Sequence, residues 1–396
     1  MVGGSLAGLR AAETLRQEGF DGTVVVIEAE EGAPYDRPPL SKQVLAGTWE
    51  VEDARLPVHA DELAVDWERG QRATGLDLDG RTVALADGRN IAFDGLVIAT
   101  GASPRRLPGT EGLAGVHVLR TLEDCLAIRA DLDRSPGRVV VVGAGFIGSE
   151  VAATCRTASH EVTVVEALAV PMERILGTDL GSLTADLHRD HGVALRLGVG
   201  VDAMEGGERV ERIRLADGST IDADLVVVGV GVTPATGWLE GSGLALDNGV
   251  VCDETCLAAP GVVAAGDIAR WPNARFGEVM RVEHWENALD QGAHAARRLL
   301  AGDGPAEPFE PVPWFWSDQY DRKIQLAGRS GPTDDVRIVH GSVEERRFVA
   351  LYGRGGRVVG VLGVNRPRHV MQWRARIIEG ISWEDGLAQA EAEDAG

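Results

Sequence analysis

The chain has 396 residues and a mass of 42.0 kDa, too long for one ordinary core, so two or three domains are expected. Hydrophobic residues at 44% and charged residues at 25% describe a soluble globular chain and exclude general disorder. A net charge of −22 argues against nucleic acid as a partner and against adhesion to an anionic membrane. No apolar run approaches the roughly 18 residues of a membrane helix. The opening MVGGSLAGLRAAE has neither a charged n-region nor a long apolar h-region, so no signal peptide is read there. Four cysteines make no disulfide scaffold, and a reducing cytoplasm is the expected compartment. Lys42 and Lys323 are the only lysines among 39 basic residues, which suggests sites that need an ammonium specifically.

In chain order, apolar runs alternate with helical patterns. The run TVVVIEAE (23–30) reads as a buried strand, as do GLVIATG (95–101), RVVVVGAG (138–145), EVTVVEA (161–167), ADLVVVGVG (223–231) and GVVAAGD (261–267). Val and Ile without alternation mark strands covered on both faces, as in parallel sheets. Helices are expected at Leu6–Glu18, Phe146–Ser159, Asp179–His191 and Trp285–Ala301. The alternation predicts an α/β chain with two doubly wound, Rossmann-like dinucleotide-binding domains. After Gly302 the stretch DGPAEPFEPVP reads as a linker. Short alternating runs at 346–365 and a helix at Pro367–Glu379 then predict a small α+β C-terminal domain, and the last residues read as a frayed, solvated tail.

Two glycine-rich strand-to-helix turns stand out. Gly143-Ala144-Gly145-Phe146-Ile147-Gly148 is a full G-x-G-x-x-G, with a strand before it and a helix after it. Its glycines permit the turn, the approach of a pyrophosphate and close helix–strand packing, and the helix N-terminus faces the diphosphate. Glu166 ends the next strand, 18 residues after Gly148, where a ribose-binding acid is expected. In the first turn, Gly3-Gly4-Ser5-Leu6-Ala7-Gly8, Ser5 replaces the central glycine, and Glu28 and Glu30 are both candidate acids. Only Met1 and Val2 precede Gly3, so the usual first strand is nearly absent: either the sequence begins late or that strand is lost. Two such turns suggest one flavin and one nicotinamide. The strand ends Ala99-Thr100-Gly101 and Gly266-Asp267 add bare backbone for a cofactor and an acid for ribityl hydroxyls; taken singly, each is equally well a plain strand-end turn.

Five motifs then occur in order: YDRPPLSK (35–42), GAGFIGSE (143–150), AAGDIA (264–269), VEHWENA (282–288) and WFWSDQYDRKIQLAG (314–328). Together they resemble the FAD-dependent, NADH-using ferredoxin reductases of bacterial oxygenase systems, the putidaredoxin reductase-like family. The resemblance spans almost the whole chain; Ser5 and the short first strand depart from it. It implies an FAD-binding domain in two segments (1–107 and 233–311), an NADH-binding domain (108–232) and a C-terminal domain (312–396). It further implies that Gly3, Ser5 and Gly8 face the FAD diphosphate, that Arg37 and Lys42 lie along FAD, that Asp267 meets the ribityl chain, and that Trp285 and Trp316 border the flavin. Gly143, Gly145, Phe146, Ile147, Gly148, Glu150, Glu166 and Arg174 are the residues expected at NADH. Hydride transfer needs no nucleophile, only two rings held close in a dry slot. Lys42 and Glu150 are the one pair expected to tune it electrostatically, each obliging the other if buried. The other tryptophans, 49, 67, 238, 271 and 383, read as core or interface packing.

A ferredoxin is generally acidic, so docking on a chain of −22 calls for a local positive patch. Arg366 and Arg368, with Arg374 and Arg376, are the densest candidate, and Arg297 and Arg298 extend it; pairing with nearby acids is the equal alternative for each. Cys252 and Cys256 read as core or solvated thiols rather than a redox pair, Cys125 and Cys155 as buried. His188 and His191 lack a third ligand, so no metal is expected. The charged run 131–134 reads as a solvated face. The expected protein is a monomeric NADH:ferredoxin oxidoreductase carrying electrons through FAD to a [2Fe–2S] ferredoxin. A rubredoxin reductase or another NADH-dependent flavoenzyme of the fold remains open. So does a non-enzymatic redox sensor resembling apoptosis-inducing factor, although the charge and the lack of a targeting segment argue against it.

Overall fold

The structure, a computed structural model, describes residues 1–58, 63–110, 112–134 and 137–394. The chain divides into two compact units. The first comprises Met1–Asp36, Arg55–Ser103 and Thr233–Pro313; the second comprises Arg37–Ala54, Pro104–Val232 and Trp314–Gly396.

In the first unit a mostly parallel sheet runs through Asp66–Arg69, Val25–Glu28, Leu96–Ile98, Val262–Ala264 and Leu257–Ala259, the last antiparallel. The first strand missing from the sequence pattern is supplied by Met1 and Val2. Val2 bridges both Ile27 and Ile98 in parallel, and its N–H donates to the Val97 carbonyl at 2.9 Å. Neighbouring strands on both sides satisfy the backbone groups of Val2. Helices Leu6–Gln17 and Trp285–Ala301 cover the sheet, and they approach so closely at Gly292 that a Cβ there would lie 2.4 Å from the Ala7 carbonyl oxygen. A three-stranded antiparallel sheet, Ala73–Asp77, Thr82–Leu85 and Asn90–Ala92, was not legible as strands, because the strands are only 5, 4 and 3 residues long and a register shift between Ala73 and Gly75 breaks the alternation.

The second unit holds a five-stranded parallel sheet in the order Ala194–Leu197, Glu161–Glu166, Arg138–Val142, Leu225–Val228, Val116–Val118. The valine runs at 138–142 and 225–228 form its centre and are buried almost throughout. A separate five-stranded antiparallel sheet follows: Trp314–Gln319, Arg322–Gly328, Arg357–Val364, Arg347–Arg354, Asp335–Ser342. The helix Glu173–Asp190 begins earlier than the expected 179, with a break at Gly177 (φ +76°). Its Met172, Leu176, Leu180, Leu183 and Leu187, spaced to share a face, pack against Phe315, Phe348 and Tyr352 of the antiparallel sheet.

Two expectations need correction. The described part of the tail is not frayed: Trp383–Asp394 forms a helix, and Trp383 packs over Gly353, which has no side chain in the way; residues 395–396 lie outside the described residues. The run 131–134 is not simply solvated. Asp131 is buried and takes bonds from His117 Nε2 at 2.7 Å, Arg134 at 2.8 Å and Arg209 at 2.8 Å. Burial works to raise its carboxyl, but the Arg209 and His117 partners outweigh that and hold it below the usual range. Trp49 is exposed, which excludes the core and leaves interface packing for that residue. Trp271, in contrast, is fully buried, with its Nε1 donating to the Phe309 carbonyl.

Candidate functional site

Two cradles share one geometry. At the first, Gly3 has φ +100°, and a Cβ there would lie 2.2 Å from the Ala99 carbonyl oxygen. At the second, Gly143 has φ +99°, and its Cβ would lie 2.4 Å from the Gly229 carbonyl oxygen. Both positions therefore exclude any side chain. Gly8 and Gly148 do the same for helix packing, since a Cβ would fall 1.9 and 2.0 Å from the carbonyl oxygens of Gly3 and Gly143. The central position is different. A Cβ on Gly145 would meet nothing within 4 Å, and Ser5 adopts nearly the same extended φ (−78° against −74°). Serine is thus sterically admissible where the pattern has glycine. Neither helix start carries a side-chain cap, so the first-turn N–H groups of Leu6–Gln17 and Phe146–Thr157 face outward without a side-chain acceptor, and the open space at Gly145 leaves room for a phosphate.

A carboxylate completes each cradle. Glu28 Oε2 accepts the Gly4 N–H at 2.6 Å, and its Oε1 accepts the Glu30 N–H at 3.1 Å. Glu166 Oε2 accepts the Ala144 N–H at 2.7 Å, and its Oε1 accepts the Leu168 N–H at 2.8 Å. The structure places the two acids left open in the first turn differently. Glu28 stands at the turn, whereas Glu30 is taken by the Tyr35 hydroxyl at 2.6 Å.

The first unit gathers further residues at its cradle. Ala99 abuts Gly3 and Gly8, Gly101 turns with φ +67°, and Thr100 Oγ1 donates to the Ala235 carbonyl. Gly266, with φ +77°, sits against Ala7, and its N–H donates to Gln291 Oε1 at 2.9 Å. Gln291, fully buried, thereby holds the turn that carries half-buried Asp267. Trp285 Nε1 donates to Asp36 Oδ1 at 2.8 Å.

The second unit gathers the charged pair. Lys42 Nζ lies 2.6 Å from Glu150 Oε2, with side-chain exposures of 12% and 3%. Ser41 Oγ donates to the same oxygen at 2.5 Å, and Ser317 Oγ donates to Oε1 at 2.8 Å. Both serines lie inside the motifs 35–42 and 314–328, but nothing singled them out there, because an isolated hydroxyl has no spacing rule. Trp316 stacks on Trp314 with centroids 5.2 Å apart. Phe146 is turned into an edge-to-face contact with Phe315 at 4.4 Å, so its ring is engaged in packing while Ile147 is exposed. Arg37 Nη1 donates to the Arg120 carbonyl, and Arg174 is exposed in the first turn of Glu173–Asp190. The other lysine, Lys323, makes an exposed pair with Asp318, so its ammonium marks no buried site.

The candidate patch arginines differ in their surroundings. Arg297 pairs with Glu18 at 2.7 Å, Arg298 donates to Thr255 Oγ1 and the Gly302 carbonyl, and Arg376 pairs with Glu393. Arg368 is exposed on Pro367–Glu379, and Arg366 is half-buried just before it.

All four cysteines are free and buried. Burial pushes the Cys125, Cys155 and Cys252 thiols up to about 12 and raises Cys256 as well, so none offers a thiolate near neutrality. His188 is buried against Tyr320, bonded to its hydroxyl at 2.9 Å, while His191 stacks on the same ring. Among the described residues no cluster of His, Cys, Asp or Glu is placed to hold a metal, and no helix is long and apolar enough to cross a membrane.

Comparison with known proteins agrees with this arrangement. Residues 1–292 match the pyridine nucleotide-disulphide oxidoreductase model, and residues 314–394 match the reductase C-terminal model. The ferredoxin reductase subunit of the 5,5'-dehydrodivanillate O-demethylase of a Sphingobium species is 39% identical, over 99% of this chain and 96% of that protein. Putidaredoxin reductase of Pseudomonas putida is 36% identical, over 98% and 93%. Its crystal structure in covalent complex with putidaredoxin superposes with a TM-score of 0.89 at 35% identity, over 95% and 91%. The chain therefore belongs to the pyridine nucleotide-disulphide oxidoreductase family. It is a flavoprotein oxidoreductase that uses FAD and NAD(H), with the C-terminal domain typical of reductases.

Proposed function

We propose that this protein carries electrons from NADH through FAD to a [2Fe–2S] ferredoxin that supplies a cytochrome P450 or a Rieske oxygenase, acting as a monomer in the cytoplasm. The observation that carries the reading is a pair of equivalent dinucleotide cradles in a chain whose cysteines are all buried and protonated. Electrons that enter from a nicotinamide have no dithiol to leave by, so they leave to an external carrier. The printed names of the relatives supply its class: ferredoxin reductase components of demethylase and dioxygenase systems.

FAD, when bound, supplies the exchange between a two-electron donor and a one-electron acceptor. The chain's own residues bind and orient. We assign Gly3, Ser5, Gly8 and Glu28, with the strand ends 99–101 and 266–267, to FAD, and Gly143, Gly145, Gly148 and Glu166 to NADH. Lys42, held by Glu150, places a positive charge that favours the reduced flavin. Segments 1–107 and 233–311 serve FAD, 108–232 serves NADH, and 312–396 serves the partner.

Titrated anaerobically with NADH, the purified protein is expected to be yellow and to bleach, and then to reduce a [2Fe–2S] ferredoxin faster than a rubredoxin. A colourless protein that takes up no FAD would refute the reading; faster rubredoxin reduction would move it to the rubredoxin branch.

Docking is expected to depend on Arg366 and Arg368 more than on Arg297 and Arg298. Arg297 is already balanced by Glu18, and an exposed pair of this kind contributes little net field. Reversing Arg366 and Arg368 to glutamate should raise KM for ferredoxin roughly tenfold at low salt and flatten its salt dependence. Ferricyanide reduction should stay unchanged. Ferredoxin kinetics that survive the reversal in a folded protein would put the docking face elsewhere.

A further inference from the structure

The Glu150 carboxylate joins three segments that lie far apart in the chain. Lys42 and Ser41 reach one oxygen, and Ser317 reaches the other. Ser317 lies on Trp314–Gln319, where the buried positions are Phe315, Ser317 and Gln319, alternating with Trp314, Trp316 and Asp318. It is a fully buried hydroxyl in an otherwise packed row. The direction of its bond follows from donor arithmetic. Gln319 Nε2 lies 3.2 Å from Ser317 Oγ and can only donate, while a carboxylate can only accept. The single Ser317 proton therefore points at Glu150 Oε1. Ser41 has one proton too, and at 2.5 Å it goes to Oε2 rather than to the Pro38 carbonyl at 3.4 Å.

We propose that Ser317 is a positioning residue for the reductive half of the reaction. Its hydroxyl fixes the rotation of the Glu150 carboxylate, so that the opposite oxygen faces Lys42 and sets where the ammonium points. Without that donor, Oε1 is left buried and unsatisfied, the carboxylate turns to find another partner, and Lys42 loses its fixed direction. The C-terminal segment then has a second task beside partner binding. The strand that carries Trp316 also sets the charge that tunes the flavin. This inference rests on the role assigned above to Lys42 and Glu150.

Stopped-flow reduction by NADH in the absence of oxygen tests it, together with the flavin midpoint potential. In Ser317→Ala, FAD content and NADH affinity are expected to stay at wild-type values, while the reduction rate constant falls roughly tenfold, the effect of one buried hydrogen bond to a charged group. The midpoint potential should move in the same direction as in Lys42→Met. Ser317→Thr keeps the hydroxyl and should remain near the wild-type rate and potential. Placed on a Lys42→Met background, Ser317→Ala should cost no further rate, since the charge it directs is gone. A wild-type rate and potential in Ser317→Ala, beside a slow Lys42→Met, would overturn the inference alone. So would a full additional loss on the Lys42→Met background. An unaffected Lys42→Met would instead remove the assigned role of the Lys42–Glu150 pair, and the inference with it.

Discussion

Glu150→Leu is expected to destabilise the protein by about 3–5 kcal/mol, the cost of leaving one member of a buried ion pair alone. Lys42 Nζ would keep only the Pro38 carbonyl at 3.0 Å and the Ser41 hydroxyl at 3.4 Å, in a site where its side chain is 12% exposed. Ser41 and Ser317 would lose their acceptor as well. For a unit of this size each kcal/mol moves Tm by roughly 2–4 °C, so a fall of roughly 10 °C should appear in calorimetry of the FAD-loaded protein. The double variant Glu150→Leu/Lys42→Met should recover part of that fall, because the stranded charge is gone. It should not recover all of it, because the Ser317 proton still lacks an acceptor and the Ser41 proton has only the Pro38 carbonyl at 3.4 Å. A double variant that melts no higher than Glu150→Leu would show that the lost stability does not come from the charge.

NADH is expected to be preferred over NADPH by on the order of a hundredfold in kcat/KM. Glu166 stands at the cradle we assign to NADH, with both oxygens turned to backbone N–H groups, of Ala144 and Leu168. Each oxygen keeps a second lone pair for a ribose hydroxyl. A 2′-phosphate there would face a fixed carboxylate, and like charges about 4 Å apart repel by about 4 kcal/mol at an effective dielectric of 20. No basic side chain follows in Ala167–Val170, and Arg174 is exposed on the next helix. Glu166→Ala should lower kcat/KM for NADH roughly tenfold and bring the two coenzymes close to parity, since it removes the ribose acceptor, the repulsion and the acceptor of the Ala144 N–H together. Steady-state kinetics with both nucleotides measures this directly. Equal use of NADH and NADPH by the wild type would defeat the assignment of Glu166.

The pattern of the chain was most legible where one residue or one short run decides a local conformation. Gly3 and Gly143 need positive φ and have no room for a side chain, so their spacing is visible in the letters alone. The valine runs at 138–142 and 225–228 announce strands covered on both faces. Trp285–Ala301 and Pro367–Glu379 form helices with the bounds expected from their amphipathic spacing and, for the second, Pro367 at its start. The sheet at 73–92 was missed because its strands are short and one is bulged, and the final helix because its acidic sequence carries little apolar pattern.

By itself, then, the sequence determined the class of fold, the two glycine turns and the strand end that carries Glu166, because turn geometry, periodicity and strand-end position are local properties. Tertiary structure decided which groups meet. It placed Glu28 at the Gly4 N–H and Glu30 at the Tyr35 hydroxyl. It drew Asp131 out of a charged run into a buried network with His117 and Arg209. It also brought Ser41 and Ser317, 109 and 167 residues from Glu150 in the chain, onto one carboxylate. A hydrogen bond is satisfied only within a few tenths of an ångström and a narrow range of angles. Over such separations only the packing of whole sheets and helices sets those coordinates.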